Sequence, residues 1–344
     1  MKRIQQLDGI RAVAILAVFI HHSLHVKLLW MGVDLFFVLS GFLITGILLE
    51  SKCQPLGAYF AHFYERRARR ILMPYLLLLV IVSLVFGTAW MQHWYFYILL
   101  TNFLEPLNIP HPDAFLPLWS LAVEEQFYLI WPFAVYFLSV RNLRWFCVLL
   151  LLLSPTLRGA LHFQHPWPIY MLTPFRADLL AAGGLLSIEW RNRRTAIERH
   201  GTAAGVALVA IGLVMILALT KAGVSTYGNT RFGNVTIYEA CLLISSGGVT
   251  YAIAGRGVGW LRWKPMTYVG KISYSMYLIH LAVIIVVDRL FDGVSAAAIA
   301  LIVTLAYASF SWNFMERRLL ARNKLNIPTQ GIALDADRQP ALKP

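Results

Sequence analysis

The chain has 344 residues, of which 58% are hydrophobic and only 14% are charged. A soluble domain carries about 25% charged residues, so this composition excludes a soluble enzyme, whose surface needs more polar groups. The formal net charge of +13 would suggest a nucleic acid partner in a soluble protein. In a membrane protein it is typical of loops held on the cytoplasmic side. The three cysteines form no CxxC pair, so neither a disulfide framework nor a zinc site is expected.

Taken in chain order, ten segments are apolar over about 20 residues, the length that a membrane-spanning helix needs. They cover 8–25, 32–50, 71–91, 117–138, 143–162, 170–189, 203–221, 235–254, 267–288 and 294–316. The apolar stretch 95–104 is too short to span, and we expect an interfacial or re-entrant piece inside the loop 92–116. We therefore predict an all-α, polytopic membrane protein with about ten transmembrane helices.

The basic residues indicate which side of the membrane each loop occupies. With the N-terminus inside, most of the 30 lysines and arginines fall in loops on the cytoplasmic side, as the positive-inside rule requires. This alternation favours an even number of spans with both termini in the cytoplasm. The membrane-embedded domain is predicted to cover 1–318, and 319–344 a short polar cytoplasmic tail. Tryptophans near the span ends fit an interfacial belt, namely Trp30, Trp90, Trp94, Trp190, Trp260 and Trp263.

Ionisable side chains are costly inside a membrane, so they usually face a cavity and mark function. The predicted spans contain Arg11, His21, His22, Asp34, Glu124, Glu125, Arg176, Asp178, Glu239 and His280. With this topology, five helices bring histidine, glutamate, aspartate and arginine to one depth in the outer half. Arg11 lies about 16 Å closer to the cytoplasm than His22, at about 1.5 Å per residue. No internal repeat is evident, which weakens a transporter built on inverted repeats.

Several of these residues stand in longer patterns. LDGIRAVA at 7–14 is followed by His21 and His22, and ten residues separate Arg11 from His22. Further patterns are GVDLFFVLSGFLI at 32–44, RRILMP at 69–74, LWSLAVEEQFY at 118–128, RAD at 176–178 and ISYSMYLIH at 272–280. Together they resemble, over about 5–318, the signatures of the acyltransferase-3 family of integral membrane acyltransferases. One departure is that Glu316 and Arg317 are not followed by the proline of many members.

The resemblance implies a membrane O-acyltransferase of the bacterial inner membrane. It would move an acyl group, with acetyl expected, from cytoplasmic acyl-CoA to a hydroxyl of a surface glycan, such as lipopolysaccharide, or of a lipid-linked sugar. Acetyl-CoA is then a co-substrate, and no metal is expected. The implied partners are acyl-CoA, the glycan acceptor, membrane lipids and polysaccharide-assembly proteins, without nucleic acid.

Acyl transfer to a hydroxyl needs a base that takes the hydroxyl proton, groups that stabilise the oxyanion and residues that bind the acyl donor. His22 is the first candidate base, or the carrier of a transient acyl group. Glu124 or Glu125 could orient its imidazole, and only one of them should face the site because adjacent helical residues point about 100° apart. For the same reason His21 should point away from His22. Asp34 and His280 are further catalytic candidates.

Other residues are expected to bind the donor or line the cavity. Arg11 suits the phosphates of CoA, whereas Arg69 and Arg70 could bind them or anionic lipid headgroups. Cavity-lining roles are expected for Ser40, Arg176, Asp178 and Tyr277, although Arg176 and Asp178 could simply neutralise each other and Ser40 could pack between helices. The alternative function is a proton-coupled transporter or exporter of an anionic or sugar-related compound, because intramembrane ionisable residues are also typical of proton relays.

Overall fold

The computed structural model describes residues 4–224 and 229–317. Within these ranges it contains eleven α-helices and no strand. The helices are α1 Gln5–Leu24, α2 Gly32–Ser51, α3 Leu56–Phe86, α4 Leu118–Phe137, α5 Val140–Ala160, α6 Trp167–Met171, α7 Ala177–Asn192, α8 Arg194–Lys221, α9 Arg231–Ala254, α10 Lys264–Val287 and α11 Gly293–Ser311. The all-α prediction is confirmed. The predicted tail 319–344 lies outside the described residues.

Nine of the ten predicted spans each correspond to one long helix, and the sixth corresponds to α7 together with the end of the short helix α6. Across the described ranges, eight helices are long and apolar enough to cross a membrane by themselves. The other two long helices are α4, which carries Glu124 and Glu125, and α7, which carries Asp178 and has only 16 residues. Apolar side chains point outward from the periphery, including Leu84, Val214 and Ile302, which are 81%, 66% and 66% exposed. Such a surface suits lipid and not water, so the chain is an integral, multi-pass membrane protein.

The third, sixth and seventh predicted spans have wrong boundaries, and the seventh, which corresponds to α8, begins at Arg194 and not at residue 203. The third helix begins at Leu56 and not at residue 71, so the basic run 66–70 lies on a helix instead of in a loop. The sixth predicted span, 170–189, is broken by prolines into α6, a 3-10 turn at Thr173–Phe175 and α7. Arg176 therefore caps the start of α7 and is not inside a continuous helix.

The long connection between α3 and α4 packs against the bundle, as expected of an interfacial or re-entrant segment. It contains three 3-10 turns, at Ala89–Tyr97, Thr101–Phe103 and Asp113–Phe115. Trp90, Tyr97 and Phe115 join a buried apolar cluster with residues of α3 and α10. The segment thereby covers parts of α3 and the C-terminal half of α10.

Glycines allow the helices that carry the candidate residues to approach closely. A Cβ atom at Gly41 of α2 would lie 2.0 Å from the Leu180 carbonyl oxygen, and one at Gly183 of α7 would lie 2.0 Å from that of Val38. Likewise, a Cβ atom on Gly270 of α10 would lie 1.7 Å from the carbonyl oxygen of Asp8 on α1. Small residues at such crossings are typical of membrane helix packing. They fix α2 against α7 and α1 against α10.

Candidate active site

A cavity between α1, α2, α3, α4 and α10, here called the Arg11 cavity, has a volume of about 90 Å³. Three arginines face it, namely Arg11, Arg67 and Arg70. Arg67 and Arg70 are three residues apart on α3 and so share one face of that helix. Arg69 is not on that face, and it forms an ion pair with Glu65. The structure thus separates Arg69 from the predicted donor site and adds Arg67 to it.

Glu124 and not Glu125 lines the Arg11 cavity. The Ser40 hydroxyl donates to Glu124 Oε1 at 2.6 Å, and the Tyr128 hydroxyl donates to Oε2 at 3.0 Å. Both oxygens of this carboxylate are therefore occupied by hydroxyl groups. Glu124 therefore lies in a different cavity from His22, and neither Glu124 nor Glu125 lines the cavity of that histidine.

A second and larger cavity, here called the His22 cavity, has a volume of about 360 Å³. His21 and His22, at the end of α1, both line it. The expectation that His21 points away is wrong, because it lines the same cavity as His22 and the two ring centroids are 4.8 Å apart. The His21 Nδ1 atom lies 3.0 Å from the carbonyl oxygen of Val26, which ties this ring to the chain just after the helix.

His280 of α10 stands directly against His22. Their ring centroids are 5.2 Å apart. His280 Nδ1 lies 2.7 Å from the Tyr277 carbonyl oxygen, which can only accept, so Nδ1 carries a proton. In the neutral ring Nε2 is then an acceptor, and it is buried with no hydrogen-bond partner among the described residues. His280 does not line the cavity itself, and its ring packs against that of His22.

Tyr277 lies between the two cavities and lines both of them. Its hydroxyl oxygen is 2.6 Å from the Ser120 hydroxyl oxygen and 3.1 Å from the Pro117 carbonyl oxygen. These contacts tie α10 to the start of α4. We call this pair of residues, Tyr277 and Ser120, the Tyr277 contact.

Asp34, Arg176 and Asp178 belong to a buried ionic network instead of a cavity. Asp34 and Arg176 form an ion pair in which both side chains are 0% exposed. Arg158 Nη2 lies 2.7 Å from both Asp178 and Glu239. Within the described part of the chain, Asp34, Arg176 and Asp178 line neither cavity. Arg176 and Asp178 therefore do not line these two cavities as expected, and each of the three charges is held by an opposite charge, while the catalytic role of Asp34 stays a prediction.

Residues 4–313 match the family model described as an acyltransferase domain. The chain belongs to the acyltransferase-3 family. Its signatures therefore do mark the family, and the two cavities lie within the matched region.

Curated relatives carry names that specify acetyl transfer. The chain is 28% identical to peptidoglycan O-acetyltransferase OatA of Listeria monocytogenes, covering 94% of the chain and 57% of the relative. It is 31% identical to the putative peptidoglycan O-acetyltransferase YrhL of Bacillus subtilis, covering 90% of the chain and 54% of the relative. O-acetyltransferase OatA of Staphylococcus aureus is 28% identical, with 90% and 56% covered. The chain thus spans little more than half the length of these relatives. No solved structure gives a significant match.

Three features of this acyltransferase-3 protein escaped the sequence analysis. Arg67 was missed because α3 was expected to begin later, although its spacing from Arg70 carries the signal. Arg158 lies within the predicted span 143–162, so the expectation that ionisable residues inside spans mark function would have identified it as a candidate. Trp30 is only 3% exposed and packs on Tyr170 and Tyr238, so its assignment to an interfacial belt is wrong.

Proposed function

We propose that the protein transfers an acetyl group from acetyl-CoA to a hydroxyl of a surface glycan or lipid-linked sugar. One observation carries this proposal. Two cavities of different chemistry, one with three arginines and one with two histidines, meet at Tyr277. Such a pair suits a reaction whose donor and acceptor enter from different sides.

The Arg11 cavity is proposed to receive the donor. Guanidinium groups bind phosphate in bidentate geometry, and CoA is rich in phosphate. Arg11, Arg67 and Arg70 approach from two helices, which is favourable for a polyanion. The predicted topology places the start of α1 near the cytoplasm, where acetyl-CoA is available.

His22 is proposed as the base of the transfer. It takes the proton of the acceptor hydroxyl as that oxygen attacks the thioester carbonyl carbon, the C–S bond breaks, and CoA leaves as a thiolate that is then protonated. A second route is open at the same residue. The imidazole nitrogen would first attack the thioester carbonyl carbon, so that the C–S bond breaks and CoA leaves as a thiolate. The acceptor hydroxyl would then attack the acetyl carbon, the N–C bond would break, and the hydroxyl proton would end on the thiolate. In both routes His280 fixes the position of the His22 ring.

The names of the relatives suggest which acceptor to test first. Two of them are named peptidoglycan O-acetyltransferases, so we propose peptidoglycan as the first candidate and other surface polysaccharides, including lipopolysaccharide, as the second. The same chemistry would allow the acetyl group to be transferred onward by a partner protein of polysaccharide assembly. We further propose the bacterial plasma membrane as its location.

The proposal is tested with purified protein in liposomes and labelled acetyl-CoA. His22→Ala should lower acetyl transfer by about 10²- to 10⁴-fold, the usual contribution of a general base. His200→Ala is the matched control, since His200 lies on the exposed first part of α8 and should leave transfer unchanged. Full activity of His22→Ala would refute the role of His22. Activity without an ion gradient would separate transfer from proton-coupled transport.

A further inference from the structure

We infer that an anionic glycerophospholipid binds along α1, α8 and α9, with its phosphate in a polar cavity and an acyl chain in an apolar groove. The cavity, here called the Arg256 cavity, has a volume of about 980 Å³. The groove, here called the Val206 groove, has a volume of about 590 Å³. Neither shares a lining residue with the Arg11 cavity or the His22 cavity, so the inference does not depend on the proposed function.

The Arg256 cavity carries more positive than negative charge. Its charged lining residues are four arginines and two glutamates, namely Arg191, Arg194, Arg256, Arg262, Glu50 and Glu198. Arg191 lies 3.7 Å from Glu50, and Arg194 lies 2.8 Å from Glu198, so these four charges are paired. Arg262 donates only to the Gly255 carbonyl oxygen, at 3.5 Å, and among the described residues neither Arg256 nor Arg262 has a carboxylate partner. The two arginines that remain suit a phosphate group.

A fixed turn after α9 holds Arg256 at this cavity. Gly255 and Gly257 have φ angles of 76° and 69°, a conformation that glycine adopts without strain. The Tyr251 hydroxyl donates to the Gly257 carbonyl oxygen at 2.6 Å, and the Thr202 hydroxyl donates to that of Arg256 at 3.5 Å. The turn is thereby tied to both α8 and α9, and the backbone at Arg256 is in place before a ligand binds.

The Val206 groove continues from the cavity along the same faces of three helices. On each helix a residue that lines the cavity is three, four or seven positions from one that lines the groove, namely Gln6 and Ile10, Glu198 and Gly205, and Ala254 and Tyr251. Residues at these spacings share one face of a helix. A ligand with a charged end and an apolar end can therefore occupy both spaces at once.

The length and lining of the Val206 groove suit one acyl chain. Its lining is apolar except for Ser245, Tyr251 and Trp260, and the Trp260 indole N–H donates to the Tyr251 hydroxyl at 3.4 Å. From Gly205 to Leu213 the groove follows α8 for about 12 Å. One leaflet contributes about 15 Å of hydrocarbon. The predicted topology places the arginines on the cytoplasmic side, so the lipid belongs to the cytoplasmic leaflet. A phosphate compound without an acyl chain would leave the groove empty.

The phosphate end of the site is tested by lipid binding that needs no turnover. The full chain is delipidated in detergent, and native mass spectrometry measures the dissociation constants of phosphatidylglycerol and of phosphatidylcholine with the same acyl chains. Wild-type protein should bind phosphatidylglycerol about 5- to 30-fold more tightly, because each arginine near a membrane surface contributes about fivefold. Arg256→Gln and Arg262→Gln should each lower this preference by about fivefold. Arg199→Gln is the matched control, since Arg199 is exposed on α8 and does not line the cavity.

The acyl-chain end is tested by crosslinking. Phosphatidylglycerol with a diazirine in its acyl chain should label residues of the Val206 groove on α1, α8 and α9. Gly248→Leu should fill the groove and remove this labelling, because a Cβ atom at Gly248 meets only Leu35 Cδ1, at 3.6 Å, an ordinary contact. Val206→Phe is a second filling variant outside the packed core, since Val206 is 55% exposed.

Four results would overturn the inference. They are equal affinity for the two lipids, an unchanged preference in both arginine variants, labelling confined to other helices, and labelling of the groove that survives both filling variants. Competition decides between a lipid and a soluble phosphate compound. Inorganic phosphate or CoA at millimolar concentration should not displace phosphatidylglycerol from wild-type protein, and displacement by either would assign the cavity to a soluble ligand and overturn the lipid site.

Discussion

The Asp34–Arg176 pair offers the sharpest test of whether a buried ion here is structural or catalytic. Both side chains are fully buried, and two guanidinium nitrogens of Arg176 have no hydrogen-bond partner in the described structure. Removing one partner of such a pair leaves an uncompensated buried charge and costs about 3–5 kcal/mol, whereas replacing both by apolar residues of similar volume is often neutral or stabilising. Asp34→Leu alone should therefore destabilise the fold strongly. The double variant Asp34→Leu with Arg176→Met should recover most of that loss.

The assay has two readouts, thermal unfolding in detergent and acetyl transfer in liposomes. If the pair only holds α2 against the start of α7, the double variant should fold and keep a kcat within about tenfold of wild type, with any change mainly in the acceptor KM. Glu198→Ala is the control, because its partner Arg194 is exposed and such pairs contribute about 0.2–1 kcal/mol at most. A double variant that is as stable as wild type yet inactive would refute the structural interpretation and restore Asp34 as a catalytic candidate.

Two further predictions separate the roles of the two cavities. Arg70→Ala should raise the KM for acetyl-CoA by about 10- to 150-fold, as expected for the loss of a charge-assisted hydrogen bond. Arg69→Ala should leave this KM unchanged, because Arg69 pairs with Glu65. Equal effects of the two variants would contradict the assignment of Arg70 to the donor site. His280→Gln should lower kcat by about 10- to 100-fold and shift the pH profile of kcat, because the substitution disturbs the ring of His22. The KM for acetyl-CoA should stay unchanged. An unchanged pH profile would leave His280 with a structural role only.

The sequence predicted the helices well because a membrane imposes one strong constraint. Any segment that crosses lipid must be an apolar helix of about 20 residues, and composition alone finds such segments. The errors arose where that constraint is absent. The basic run 66–70 is not apolar, so the first half of α3 was missed, although nothing between Leu56 and Met73 breaks a helix. The break before Ala177 depends on prolines that hydropathy does not weigh.

The candidate site was predicted less completely, because depth along a helix does not determine direction around it. Asp34 and His22 were placed at similar depth, yet Asp34 faces Arg176 and His22 faces a cavity. Glu124 was expected near His22 and instead meets Ser40 on α2. Such pairings depend on how the helices rotate and cross. They are decided by close contacts such as those at Gly41, which a single sequence does not reveal.

The division into two cavities has a chemical consequence for the proposed reaction. Arg11 and His22 lie on one helix, about 16 Å apart along its axis, so a donor whose phosphates remain at Arg11 must extend its thioester arm past Tyr277 to reach His22. In the proposed reaction only that narrow arm or the acetyl group itself has to pass the Tyr277 contact, and the charged end of CoA does not. The arginines can therefore bind a polyanion without admitting it to the acceptor cavity. The same separation keeps His21 and His22 beside the acceptor, where a proton must be removed, and apart from the three arginines of the Arg11 cavity.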